Sequence, residues 1–181
     1  MSNLLIIVEG PDGSGKSTLV RSLVSVLGLH PHHTGGPIRS KGEMITRLAG
    51  VSQAVESHPA GVILDRHPAI SDEIYKSVSG DPLAMNQDML DGYLLDARPL
   101  IVFCGLESMS EMWRMIDRTN KPHKPPSHLD QVLRDYKKVV EGYRASELKW
   151  KNLLGDRVRH YNWINESATN LARWVEAVCA D

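Results

Sequence analysis

The sequence predicts an α/β domain: a parallel, five-stranded sheet lying between two layers of helices, with right-handed crossovers. Three observations carry this. The runs at 4–8, 62–64 and 100–104 are apolar without alternation, as strands buried on both faces are. Between them, apolar residues recur three and four apart, the period of a helix packed by one face. The first run opens directly into Gly10-Pro11-Asp12-Gly13-Ser14-Gly15-Lys16-Ser17-Thr18, a strand–loop–helix arrangement. At 181 residues the chain fits one domain, residues 1–181, with a sizeable core and a small lid.

Taken in order, residues 4–8 are the first strand, and Glu9 stands at its carboxyl end. Leu19, Val20, Leu23, Val24 and Leu27 then mark a helix that stops at Gly28. Residues 29–34 allow at most a short strand before Gly35-Gly36-Pro37 breaks it. His30, His32 and His33 invite a metal reading; without a matching acid or cysteine set they read better as loop or substrate-facing histidines. Met44, Ile45, Leu48, Val51 and Val55 form a helical face ending before His58-Pro59. Residues 62–64 deliver Asp65-Arg66-His67-Pro68 to the same sheet edge as the glycine-rich loop, the edge where open parallel sheets bind ligands.

Ser71, Ile74 and Tyr75 suggest a short helix. Asp81-Pro82 reads as the cap and first residue of another, carried by Leu83, Leu90, Tyr93 and Leu94 to Arg98-Pro99, with Met85 and Met89 in the core. Residues 100–104 are the third buried strand. A helical stretch from 109 to 117 leads into a polar, proline-rich segment, and the lid is expected over about 114–128. Val132, Leu133, Tyr136, Val139, Val140, Tyr143, Trp150 and Leu153 mark a long helix, residues 158–163 a last strand, and Leu171, Ala172, Val175 and Val178 the closing helix.

A formal net charge of -1 gives no general bias toward nucleic acid or membrane. The region 114–159 is basic, twelve Lys/Arg against six Asp/Glu, and for most of these residues a solvated helix surface is expected. Cys104 and Cys179 lack metal-ligand or redox spacing and read as small core residues in a reducing compartment. With no basic leader and no run of 18 apolar residues, a cytoplasmic protein is expected.

The loop at 10–18 fits the G-x-x-x-x-G-K-[ST] phosphate-loop pattern in its required context. Its glycines let successive N–H groups and the next helix N-terminus converge on a di- or triphosphate. Lys16 is placed to reach the β- and γ-phosphates, and the Ser17 hydroxyl to bind Mg²⁺. Glu9 has two readings: orienting the metal's waters or Lys16, or capping local N–H groups. Asn120-Lys121-Pro122-His123 lacks the Asp a guanine-binding GTPase motif needs, so transfer fits better than a GTPase switch. Transfer needs cations around the moving group, and Arg66, at the strand edge, and Arg114 and Arg118, i,i+4 neighbours at the mouth of the lid, are the candidates.

These motifs resemble the thymidylate kinase branch of the nucleoside monophosphate kinases in the P-loop kinase superfamily. Order of elements matches over nearly the whole chain; specific identity is confined to Glu9 to Thr18 and Asp65-Arg66. The resemblance implies ATP as donor, Mg²⁺, and an acceptor such as dTMP. It implies that Asp12 contacts the acceptor sugar, Arg66 its phosphate, Asp65 the metal and acceptor, and Arg114 or Arg118 the lid charge. Arg39, Arg47 and Tyr75 are further acceptor candidates, with Tyr75, Asn86, Gln87 and Tyr93 as guesses at the base pocket. Gly13 stands where some relatives carry a loop arginine, His67 where tyrosine is usual, and Thr34-Gly35-Gly36-Pro37 where Arg-Glu-Pro-Gly-Gly is usual. Deoxynucleoside kinases share the loop and the acid-Arg pair but use a glutamate after the second strand, where this chain has none. A nucleoside, or a hydroxyl on a modified base in DNA, is the alternative acceptor. An idle nucleotide-binding module is the third reading. Compact relatives are common in bacteriophages, and a homodimer is expected by resemblance.

Overall fold

The computed structural model describes residues 3–105 and 129–180. Five strands, β1 (Leu5–Glu9), β2 (His30–His33), β3 (Val62–Asp65), β4 (Leu100–Cys104) and β5 (Val158–Tyr161), form one sheet in the order β2-β3-β1-β4-β5. Every pairing is parallel, with Ile7 opposite Leu64 on one side and Ile101 on the other. Among the described residues six α-helices accompany them: α1 (Lys16–Leu27), α2 (Lys41–Ser57), α3 (Pro68–Ser79), α4 (Gln87–Ala97), α5 (Leu129–Leu154) and α6 (Ala168–Ala180). This is the P-loop three-layer α/β/α fold.

Alternate residues of β1, β3 and β4 feed two cores, because a pleated strand sends successive side chains to opposite faces. Leu5, Ile7, Val62, Leu64, Ile101 and Phe103 pack under α2, α3, α4 and α5 with Met44, Ile70, Leu94 and Trp150. Ile6, Val8, Ile63, Leu100 and Val102 pack under α1 and α6 with Leu19, Leu23, Leu171 and Val175. Phe103 is 2 % exposed on the crowded face. Phe103→Ala is therefore expected to cost about 3–5 kcal/mol, read as a shift of the urea midpoint; a cost below 1 kcal/mol would mean that this face is loosely packed.

Several boundaries differ from the sequence expectation. α4 starts at Gln87 with Asn86 as its cap, not at Asp81-Pro82. Ser79 donates to the Asp81 carboxylate at 2.8 Å, which occupies the predicted cap, while the Asn86 side chain takes the Met89 N–H at 3.3 Å. Met89 is 64 % exposed on the outer side of α4, and Cys179 is exposed on α6, so neither is core; Cys104 is buried. α3 runs twelve residues, because Pro68 at its start and buried Ala69, Ile70 and Ile74 sustain it. β5 ends at Tyr161 rather than 163. Leu153 is 48 % exposed near the end of α5. The expected lid, with Arg114 and Arg118, lies outside the described residues.

His30, His32 and His33 lie in the edge strand β2, the short strand the sequence allowed at 29–34, and His30 stacks on His58 with ring centroids 3.5 Å apart. In the basic region, Lys149 of α5 bridges Glu73 of α3 at 3.2 Å and Asp91 of α4 at 2.6 Å. Arg159 pairs with Glu166, and Lys137 with Glu141 at 3.9 Å.

Candidate active site

β3, β1 and β4 end side by side, and the segments leaving them build the site. At Gly10 the chain turns with φ 146°, and a Cβ there would stand 2.3 Å from the Cys104 carbonyl oxygen. The first loop glycine is thus fixed by its close approach to the end of β4. At Gly15 (φ 84°), the cap of α1, an added Cβ would lie 3.3 Å from the Trp163 indole, which packs on the loop from the β5–α6 connection.

Within the loop, Ser14 is fully buried, and Lys16 is 6 % exposed with its ammonium donating to the Pro11 carbonyl at 2.7 Å. Burial first, and then the Arg66 charge, hold the Lys16 pKa below the ordinary lysine value. The Ser17 hydroxyl donates to Asp65 Oδ2 at 2.6 Å, joining the start of α1 to the end of β3. A hydroxyl beside a carboxylate is a hard-oxygen donor set of the kind Mg²⁺ takes together with phosphate oxygens and water.

Arg66 has φ 75°, a left-handed backbone uncommon outside glycine. Its N–H donates to the Val8 carbonyl at 2.9 Å and its carbonyl accepts from Thr34 Oγ1 at 3.1 Å. Its guanidinium donates to the Asp12 carboxylate and to the Tyr75 hydroxyl at 2.8 Å, and lies 5.1 Å from the Tyr75 ring centroid.

Two cavities open at this point. One, about 530 Å³, is lined by Gly13, Gly15, Lys16, Ser17, Thr18, His33 and Asp65. The other, about 780 Å³, runs between residues 34–39 with Arg47 on one side and the α3 face of Ser71, Asp72, Tyr75, Lys76 and Ser79 on the other. Asp12, Gly35, Gly36 and Arg66 line both, so the cavities share a seam. Arg39 and Arg47 lie on the larger cavity, Arg47 paired with Glu43 and donating to the Gly36 carbonyl. Of the guessed base-pocket residues only Tyr75 lines it. Asn86 is spent capping α4, Gln87 bonds Asp91 at 2.8 Å, and Tyr93 bonds Ser52 at 2.8 Å.

Glu9 is fully buried and accepts the His67 N–H at 2.6 Å and the Ser71 hydroxyl at 3.2 and 3.4 Å. Of its two sequence readings, these contacts are of the local-capping kind. Burial pushes its carboxyl up to about 7 despite the His67 N–H. His67 lines the larger cavity with a fully buried ring, whose Nδ1 accepts the Ala69 N–H at 3.2 Å and so caps α3. Burial pushes its pKa down to about 3.

These two groups oppose each other in acid. Below pH 6.5 an unfolded histidine takes a proton that folded His67 refuses, so its share of stability is lost as pH falls. Above pH 4.5 an unfolded glutamate loses a proton that folded Glu9 keeps until about 7, so its share is lost as pH rises. Between 4.5 and 6.5 the slopes cancel. Glu9→Gln removes one of them, and its unfolding free energy is expected to fall against the parent's by about 1.4 kcal/mol per pH unit on acidifying through that window. Parallel urea-unfolding profiles for the two proteins would contradict this.

Sequence reasoning gave no site role to Ser71, Tyr136 and Trp163, and named Thr34 only as part of Thr34-Gly35-Gly36-Pro37, with no role of its own. Tyr136 on α5 donates to the Asp12 carbonyl at 3.3 Å, across 124 positions, and no local pattern announces such a contact. Thr34 was findable, since it follows a strand at the ligand-binding edge.

No protein-family model and no curated protein sequence matches the chain. Solved structures do. The YorR protein of Bacillus subtilis, in complex with phosphorylated GDP, superposes with a TM-score of 0.69 at 18% identity, over 97% of this chain and 95% of that one. Thymidylate kinase from Candida albicans gives 0.60 at 19% identity, over 97% and 92%. Deoxyadenosine kinase from M. mycoides with bound dCTP gives 0.56 at 15% identity, over 98% and 100%. The likeness is one of fold.

Proposed function

We propose that the chain is an ATP-dependent phosphotransferase that moves the γ-phosphoryl group to a nucleoside monophosphate. The shared seam carries this reading: a phosphate-loop cavity and a second cavity of nucleotide size meet at Asp12 and Arg66. A hydrolase needs no second cavity, and an idle binding module needs no arginine at the junction. Of the fold neighbours, thymidylate kinase is named for a monophosphate acceptor and supports this class, whereas deoxyadenosine kinase is named for a nucleoside, the alternative acceptor.

In this reading the backbone of Gly13 to Thr18 and the N-terminus of α1 hold the donor phosphates. Lys16 exchanges its bond to Pro11 for the β- and γ-phosphates. Ser17 and Asp65 would hold Mg²⁺, which would supply neutralisation of phosphate charge. Arg66 exchanges Asp12 and Tyr75 for the acceptor phosphate, and Asp12, so released, faces the acceptor sugar. Arg39 and Arg47 add positive charge to the acceptor wall, and Arg114 and Arg118 bring it from the lid. An acceptor phosphate oxygen then forms a bond to Pγ as the bond from Pγ to the β-bridging oxygen breaks. A phosphate dianion has no proton to lose, so the site needs positioned cations more than a general base.

The test is γ-labelled ATP with a panel of monophosphates, nucleosides and oligonucleotides. Labelled diphosphate is the expected product. Label in nucleosides alone, or in an oligonucleotide alone, would replace this reading with the nucleoside or nucleic-acid one.

A further inference from the structure

A non-glycine residue at φ 75° costs about 1–2 kcal/mol and persists only where its surroundings impose it. Around Arg66 three hydrogen bonds do so, from the ends of the two strands that flank β3. Its N–H is taken by the Val8 carbonyl of β1, its carbonyl by the Thr34 hydroxyl after β2, and the next N–H, of His67, by the Glu9 carboxylate that closes β1. Two of the three depend on a side chain. Glu9 also takes the Ser71 hydroxyl one turn into α3, so its carboxylate spans the turn and the helix start. It is 0 % exposed and makes no ion pair among the described residues. Burying a carboxyl group is costly, and here the return is an acceptor at a backbone N–H that would otherwise be buried unpaired.

We infer that Glu9, with Thr34, is a positioning residue: together they lock the Asp65–His67 turn so that the Arg66 guanidinium is held at the seam between the two cavities. The kinetic consequence rests on the transfer reading above; the structural one does not. Without Glu9, the turn relaxes toward ordinary backbone angles and the guanidinium leaves the seam, whereas the phosphate loop, closed by its own bonds and by Trp163, stays in place. A glutamine at position 9 still offers one carbonyl oxygen to the His67 N–H and an amide to the Ser71 oxygen.

The experiment compares Glu9→Ala, Glu9→Gln and Thr34→Val in the full-length chain. It measures steady-state kinetics with ATP and the best monophosphate, and backbone amide exchange over residues 65–71. Glu9→Ala is expected to lower kcat about 30-fold or more while the ATP KM stays within about threefold, since the donor cradle is untouched. Exchange is expected to quicken at 66–71 and not in β4. Glu9→Gln restores kcat to within about fivefold of the parent. Thr34→Val lowers kcat with the same KM pattern, and it carries the test if Glu9→Ala does not fold. Two results overturn the inference: Glu9→Gln losing as much as Glu9→Ala, which would mean that the charge is what counts, or parental kcat in both Glu9→Ala and Thr34→Val. If the parent phosphorylates no acceptor, the transfer reading fails by itself, and parental exchange rates at 66–71 in Glu9→Ala and Thr34→Val then overturn the positioning claim independently.

Discussion

Lys16→Ala is expected to lower kcat for phosphoryl transfer by about 10³-fold or more while leaving the fold intact. Lys16 is 6 % exposed, and among the described residues its ammonium donates to the Pro11 carbonyl alone, so losing that bond costs the fold little. In the donor cavity, by contrast, Lys16 is the cation of the loop itself, placed where charge moves between the β- and γ-phosphates. A preorganised cation in a water-poor site stabilises that charge far better than solvent does, and no other described side chain of the loop carries positive charge. Acceptor KM is expected to stay within a few-fold, because the larger cavity does not include Lys16. Activity within tenfold of the parent would remove Lys16 from the chemistry.

The second large effect is at Arg66, where stability and activity are expected to separate. Arg66→Lys keeps a charge but loses the planar fork that grips two phosphate oxygens, and kcat/KM for the acceptor is expected to fall about 10²-fold. Arg66→Gly removes the side chain and also the left-handed strain at φ 75°. It is expected to fall at least as far in activity and yet to unfold at a urea concentration equal to or above the parent's, since glycine adopts that backbone without penalty. A glycine variant that is both inactive and markedly less stable would show that the guanidinium's bonds to Asp12 and Tyr75 matter more to folding than the strain does.

Legibility in the sequence followed the range over which the physics acts. The central strands were readable because burial on both faces leaves unbroken apolar runs, and the phosphate loop because its glycines, lysine and hydroxyl must be contiguous. The Ser17–Asp65 bond joins two such motifs, each recognisable alone, so their meeting at one sheet edge followed from parallel topology. The start of α4 was misread because Asp81-Pro82 has the right local chemistry for a cap, but its carboxylate is taken by Ser79. Met89 and Cys179 were misplaced because their helices are amphipathic, and spacing alone did not say on which side of the buried stripe each would fall. For Glu9 the sequence left two roles open, and its partners could not be read from it. Its bonds to His67 and Ser71 reach across 58 and 62 positions, beyond any spacing rule.

The most direct measurement is a crystal structure with a non-hydrolysable ATP analogue and a nucleoside monophosphate bound together. The proposed function predicts the analogue's γ-phosphate against Lys16 and Ser17, and the monophosphate's phosphate within hydrogen-bond distance of the Arg66 guanidinium. A monophosphate bound outside the cavity between residues 34–39 and α3, or an Arg66 still closed on Asp12 with both ligands present, would contradict it.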